Sequence, residues 1–322
     1  MHALIVHAHP EPKSFSSALA ETARASLDAA GHDVTLLDLY RSGFDPVSDR
    51  RNFTTAADSS YFKQQQEESH ASEHAGFVPE LDAAMSELER ADLLIFSFPL
   101  WWFGMPAMLK GWVDRVFAYG RIYGGPKLYE NGVGRGRSRA MVLMTSGGGE
   151  HVYSGLGVNP PLRTILDPIE HGVFWFNGFR PIDSFVAWSP ARISQDERTQ
   201  YLDRLAHRMS GIFDETPRQL APLADFPNFG LDTKLRFLVF ARRTAPLPRD
   251  RADLLAAEHR AIDALRHSGR LLSCEMSAPE REDWQAALVL RGSDEAEVMG
   301  WLHSLPTASS LAFDITELAA LS

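Results

Sequence analysis

Three short segments of this chain are apolar almost throughout: ALIVHA at 3–8, LLIFSF at 93–98 and RAMVLMT at 139–145. Each is short for a helix and lacks the alternation of a strand with one wet face, so each reads as a strand buried on both sides. Between them lie stretches of helical periodicity. One runs from about Ser16 to Ala30 and stops at Gly31; another covers 76–90; a third runs from about Pro106 to Phe117, with proline in its first turn. DVTLLD at 33–38 supplies a further strand, and Asp183–Trp188 one more, flanked by helical patterns at Pro161–His171 and Gln195–Phe213. Fully apolar strands alternating with helices predict an α/β fold, a doubly wound parallel sheet with helices on both faces.

Two regions leave this rhythm. Residues 41–76 are polar and aperiodic, and read as an excursion that covers a ligand or moves. Residues 215–234, with Pro217, Pro222 and Pro227, read as a linker resting on the first domain through Phe226 and Phe229. Beyond it the order becomes strand (Arg236–Arg242), helix (Arg251–Ser268), strand (Arg270–Glu275), strand (Gln285–Arg291), helix (Asp294–His303) and strand (Ser310–Ile315). That βαββαβ order predicts a ferredoxin-like α+β domain. The domains are expected at 1–225 and 226–322.

Composition excludes several classes of function. The formal net charge is −10 and neither half carries a basic stripe, so nucleic acid is not an expected partner. The one cysteine, Cys274, rules out an intrachain disulfide framework and suits a reducing cytoplasm. The N-terminal apolar run is too short for a signal peptide, and no stretch reaches the roughly 18 apolar residues of a membrane span. A cytoplasmic protein is expected.

Ligands of such sheets sit beyond the carboxyl ends of the strands. The loop after the first strand, His9 to Ser17, has no glycine, so the G-x-G-x-x-G dinucleotide fingerprint is missing. It offers instead His9, hydroxyls at Ser14, Ser16 and Ser17, and the N–H groups of a helix start, an anion site for phosphate or simply a serine-capped helix. The next loop, Pro99-Leu100-Trp101-Trp102-Phe103-Gly104, puts three aromatic rings at the mouth of the sheet. They suit a planar heterocycle, or a core beneath the loop; in an extended chain Trp101 and Trp102 would point opposite ways. The loop Thr145-Ser146-Gly147-Gly148-Gly149 lets a ligand approach the backbone, and Tyr153 follows with a phenol that can donate a hydrogen bond to it.

These segments, in this order, resemble the flavodoxin-like NAD(P)H:quinone oxidoreductases of the DT-diaphorase type. ALIVHAHPEPKSFS, FPLWWFGMPAMLKGWVDRVF, TSGGG with Tyr153, and FDETP at Phe213–Pro217 carry the resemblance over residues 1–225. It implies a flavodoxin-like fold, a homodimer, and FAD in preference to FMN, because the 41–76 excursion is of the kind seen in FAD-binding members. His9, Ser14, Phe15 and Ser16 would bind the diphosphate. Pro99, Leu100, Trp102 and Phe103 would hold the isoalloxazine, with Thr145, Gly147, Gly148 and Tyr153 along its edge. Tyr123, Phe176 and Trp102 would line the substrate side, Phe176 coming from the partner subunit. The implied reaction is ping-pong: NAD(P)H passes a hydride to the flavin and leaves, and a quinone or related electrophile takes two electrons in the same pocket.

The chain departs from that pattern in two places. Asn159 stands where mammalian members carry the histidine of a Tyr–His relay, and an amide cannot cycle a proton. Gly125 replaces a second aromatic, implying a wider pocket and an acceptor other than a simple quinone. The C-terminal part resembles YCII-like domains through RFLVFARR, HSGRLL and ALVLRGSDEAEVMGWL, with His259 at the place of that family's helix histidine. Other readings are a regulatory flavoprotein subunit of a potassium-efflux system, and a tailoring enzyme whose C-terminal domain acts on the reduced product. His70, Glu73 and His74 imitate an H-x-x-E-H zinc motif, but QQQEESHASEH shows no apolar face to bury a helix and no third ligand. Arg135, Arg137 and Arg139 read as a solvated loop rather than a phosphate site.

Overall fold

The computed structural model describes residues 1–220, 223, 226, 235–248, 251–278, 281 and 283–318. It divides into two compact units, Met1–Gln219 and Leu220–Ser322. Among the described residues no helix is long and apolar enough to cross a membrane.

The larger unit is built on β1 (His2–His7), β3 (Leu93–Pro99) and β4 (Arg139–Ser146), buried at every position but the first residue of β4. With β2 (Asp33–Asp38) they form a parallel sheet in the order β2-β1-β3-β4, the sheet edge being shared by β5 (Arg180–Pro181) and β6 (Phe185–Trp188), both paired to β4. The single strand expected at Asp183–Trp188 corresponds to β6, and β5 lies outside it. A two-residue strand ending in proline carries no periodic signal.

Helices cover both faces. α1 (Phe15–Ala29) and α6 (Gln195–Met209) pack Leu19, Leu27, Leu205 and Met209 against Ile5, Ile95 and Leu143. On the other face α3 (Pro79–Arg90), α4 (Ala107–Val116) and α5 (Leu162–Ile169) bring Leu81, Leu88, Trp112 and Leu166 onto Leu4, Phe96, Phe98 and Val142. α5 is shorter than its sequence pattern: Pro168 lies inside it, and the chain widens into a π turn over Glu170–Phe174.

The 41–76 excursion contradicts its sequence reading in one respect. QQQEESHASEH is a helix, α2 (Gln64–His74), although it has no apolar stripe. Beside Ala71 it buries acid: Glu67 takes the N–H groups of Ala57 (2.7 Å) and Asp58 (3.2 Å), and Glu68 takes that of Tyr119 (2.7 Å). Carboxylates can be buried when backbone donors replace water, and hydropathy does not register such contacts. Burial pushes the Glu68 carboxyl above its ordinary value.

The smaller unit contains β7 (Leu235–Arg243), α7 (Ala252–His267), β8 (Leu271–Met276), β9 (Gln285–Gly292), α8 (Glu295–His303) and β10 (Leu311–Leu318). Its strands form a separate antiparallel sheet ordered β10-β7-β9-β8. One face packs Phe237, Val239, Leu288 and Leu290 with Ile262, Leu265, Val298 and Leu302 of the two helices. In the expected linker Phe226 is exposed, and Phe229 lies outside the described residues.

The excursion also meets α4 where that helix has no side chain. A Cβ at Gly111 would stand 2.2 Å from the Pro46 carbonyl oxygen and 2.4 Å from its Cβ. Gly111→Ala is expected to force these backbones apart and destabilise the larger unit by about 1–3 kcal/mol, as overpacking does. A thermal melt of the variant checks this, and an unchanged midpoint would show the contact to be slack.

Candidate active site

Three loops meet at the carboxyl ends of β1, β3 and β4, beside the point between β1 and β3 where the strand order reverses. In the first, the Glu11 N–H donates to His9 Nδ1 (3.0 Å), leaving Nε2 as the protonated nitrogen. Ser14 caps α1, accepting from the Ser17 N–H (3.1 Å). Ser16 is buried and pairs with Thr145 Oγ1 at 2.8 Å. Ser14 and Ser16 therefore already have partners inside the protein. The N–H groups of Glu11, Lys13, Ser14 and Ser17 are likewise bonded within the loop, so its capacity for an anion rests on the Phe15 and Ser16 N–H groups at the start of α1, His9 and Lys13.

That loop opens on a cleft of about 490 Å³, lined by His9, Ser14, Phe15, Ser16 and Thr145 and, across it, by Pro190, Gln195, Arg198 and Leu202. The last three lie on one face of α6. Arg198 Nη1 is held by the carbonyls of Pro190 (2.9 Å) and Ile193 (3.0 Å). Sequence reasoning missed this wall, because nothing local distinguishes Arg198 from any other arginine on an exposed helix.

The second loop reverses direction rather than running extended. Trp101 and Gly104 exchange backbone hydrogen bonds (3.2 and 3.0 Å), and between them Trp102 and Phe103 are both left-handed, with φ of 50° and 58°. A two-residue turn of this kind is normally Asn-Gly. Large side chains there cost about 1–2 kcal/mol each. The strain leaves the rings in the open: Trp102 is 98% exposed and Phe103 48%. Pro99 is buried at the end of β3, and the Leu100 N–H is tied to the Thr145 carbonyl at 2.8 Å.

In the third loop a Cβ on Gly147 would meet nothing within 4 Å, whereas one on Gly148 would lie 3.0 Å from the Tyr153 ring. Tyr153 stacks on Trp188 at 5.4 Å and stands edge-on to Phe103 at 6.5 Å. Trp188 was not anticipated; β6 brings it opposite Ser146 in β4. Asn159 donates its backbone N–H to the Val152 carbonyl (3.0 Å), closing the loop that carries Tyr153.

Tyr123 and Phe176 come together in another aromatic group of the same chain, 6.0 Å apart, with Tyr119 and Tyr129 beside them. Gly125 is exposed and left-handed, with nothing near its missing Cβ. The His70 and His74 rings stack at 4.2 Å, and no cluster of three or more potential metal ligands occurs among the described residues. Arg139 begins β4, and Arg135 and Arg137 line a hollow with Glu89 and Asp92, at the opposite end of the sheet from the cleft. In the smaller unit His259 is exposed on α7 and borders an apolar cavity of about 80 Å³ with Glu258, Cys274 and Trp284. Burial raises the Cys274 thiol above its ordinary value.

Strand order, cleft and aromatic mouth define a flavodoxin-type protein, and residues 1–209 match the family model described as flavodoxin-like fold. NAD(P)H dehydrogenase [quinone] 1 of Cavia porcellus is 37% identical over 225 residues, 70% of this chain and 82% of that protein. Ribosyldihydronicotinamide dehydrogenase [quinone] of Homo sapiens is 34% identical over 215 residues, 66% of this chain and 93% of that protein. A crystal structure of a candidate quinone reductase from Klebsiella pneumoniae superposes with a TM-score of 0.64 at 32% identity, covering 67% of this chain and 86% of that one. The chain belongs to this family of flavodoxin-like NAD(P)H:quinone oxidoreductases, and it is an oxidoreductase.

The Ser16–Thr145 bond gives a direct test of the first loop. Thr145→Val should strand the buried Ser16 hydroxyl and destabilise the ligand-free protein by about 1–3 kcal/mol. Denaturant titration measures this, and an unaltered midpoint would mean that Ser16 is free to face a ligand.

Proposed function

We propose that this protein transfers two electrons from NAD(P)H to a quinone or related electrophile through a bound FAD, as a cytoplasmic homodimer. The observation that carries the reading is the strained turn Trp101–Gly104. Two bulky residues held left-handed, with their rings turned outward beside an open glycine loop, are kept at a cost that folding alone does not explain.

The residues present fit a flavin. The aromatic turn offers a platform for a planar ring, and the space above Gly147 admits the edge of such a ring against the backbone. His9 Nε2–H and the first N–H groups of α1 suit a diphosphate, with Phe15 beside them. The cleft continues past them to Arg198 and Leu202, room that FMN would leave empty and that the nucleotide half of FAD would fill. When bound, the flavin supplies the two-electron store between donor and acceptor.

The chain's own part is to bind, orient and donate protons. Tyr153, fixed by Trp188 and Gly148, presents its phenol at the edge of the site as a hydrogen-bond donor. Asn159 closes the loop through its backbone N–H and offers no imidazole at that position. Trp102, Leu156 and Val158 are almost wholly exposed, an apolar surface that a second copy would cover. The same copy would bring Tyr123 and Phe176 to the substrate side as a pair. The smaller unit we read as a ferredoxin-like, YCII-like module, from its element order and sheet order, with His259 at the rim of its cavity.

Purified protein is expected to be yellow and to bleach anaerobically with NADH or NADPH, and heat-released flavin should have the mass of FAD. Colourless protein that takes up neither FAD nor FMN would sink the reading, and a mass of FMN would overturn the choice of cofactor. Tyr153→Phe should slow bleaching in stopped flow by a factor on the order of 10–100; an unchanged rate would remove the phenol from the reaction.

A further inference from the structure

His7 ends β1, in which Ala3–Val6 are aliphatic, and is 2% exposed. Its Nδ1 lies 3.0 Å from Ser97 Oγ, on the residue opposite in β3, and its Nε2 lies 3.0 Å from Ser17 Oγ on α1. The protons of this cluster can be assigned. Ser17 Oγ gives its single proton to the Glu11 carbonyl (3.0 Å), so it accepts from both other neighbours, Ser14 Oγ (2.9 Å) and His7 Nε2. His7 therefore carries its proton on Nε2, and Nδ1 accepts from the Ser97 hydroxyl. Burial outweighs the Asp38 carboxylate, which acts the other way, and holds the imidazole pKa below its ordinary value, in keeping with this neutral form.

The result is a directed chain, Ser97 to His7 to Ser17 to the Glu11 carbonyl. It fastens the anion loop to the centre of the sheet. Because Ser14 and Ser16 already have internal partners, reception of an anion rests on His9, Lys13 and the first N–H groups of α1, and where those N–H groups point is fixed by the loop. That orientation is set by the turn that Ser17 closes and by the Ser14 cap bound to the same hydroxyl.

We propose that His7 is the positioning residue of the cofactor-phosphate site, acting through Ser17 to hold the Glu11–Ser17 turn in the shape that receives phosphate. The inference rests on the flavin reading above and adds to it a residue that touches no ligand.

Flavin-stripped protein titrated with FAD, FMN and riboflavin tests it, since riboflavin has the ring without the phosphate. His7→Leu keeps the apolar volume and removes the donor; it should weaken FAD and FMN about tenfold, the scale of one buried hydrogen bond, and leave riboflavin unchanged. In His7→Gln the amide N–H can stand in for Nε2–H, and affinity should stay within about threefold of the unaltered chain. Ser17→Ala should reproduce the leucine variant, and the double variant should be no weaker than either single one, because both cut the same path.

Three results overturn the proposal: FAD affinity unaltered in His7→Leu, riboflavin weakened as much as FAD, or single effects that multiply in the double variant. Should the leucine variant fail to fold, His7→Gln and Ser17→Ala decide it, glutamine binding as the unaltered chain does and alanine about tenfold weaker. An unaltered chain that binds none of the three flavins brings down the flavin reading and this inference with it. Binding by that chain with no loss in the variants brings down this inference alone.

Discussion

The central strands of the larger unit have no solvent on either face, so the backbone N–H and C=O groups of β1, β3 and β4 must be paired within the sheet. The strands are accordingly aliphatic and their pairing continuous, and groups that need water or a ligand gather where the strands end. His7, the last residue of β1, and Ser97, opposite it in β3, are polar residues admitted to that interior near the strand ends. They are tolerable because each is the other's partner and because Ser17 completes the set. The same pair joins the rigid middle of the sheet to the loop that would have to be rigid around an anion.

At the strand ends the molecule departs from its local preferences. Trp102 and Phe103 occupy conformations that glycine or asparagine would fill at lower cost, and their rings lie open to solvent. Both features oppose stability, and both suit a surface that stacks a planar ligand and meets a second subunit. Trp188 and Tyr153 support the opposite side of the site from β6 and the glycine loop. Asn159 closes the loop that carries Tyr153 through its backbone N–H.

The excursion between β2 and α3 is fastened differently. Two glutamates replace the hydrophobic stripe of an ordinary helix, and a glycine on α4 lets Pro46 approach the helix backbone. Such contacts are directional and tolerate little change in shape, whereas the apolar faces of α1 and α4 tolerate substitutions of similar volume.

The amino-acid sequence by itself determined the types and order of the main elements, β5 and α2 excepted, and the separate character of the smaller unit. Periodicity and length are local properties, and runs buried on both faces leave little choice but a parallel sheet. The aromatic, serine and glycine loops were legible too, being short, contiguous and unusual in composition. Other features were decided only by tertiary structure. Ser14 caps α1 locally, as its sequence suggests, but Ser16 meets Thr145 from a strand far along the chain. Arg198 reaches the cleft, and Trp188 reaches Tyr153, by the packing of α6 and β6 beside β4. α2 is a helix because distant backbone donors satisfy its carboxylates. Hydropathy counts what a residue avoids; a hydrogen bond depends on which group arrives opposite it, and only the folded chain decides that.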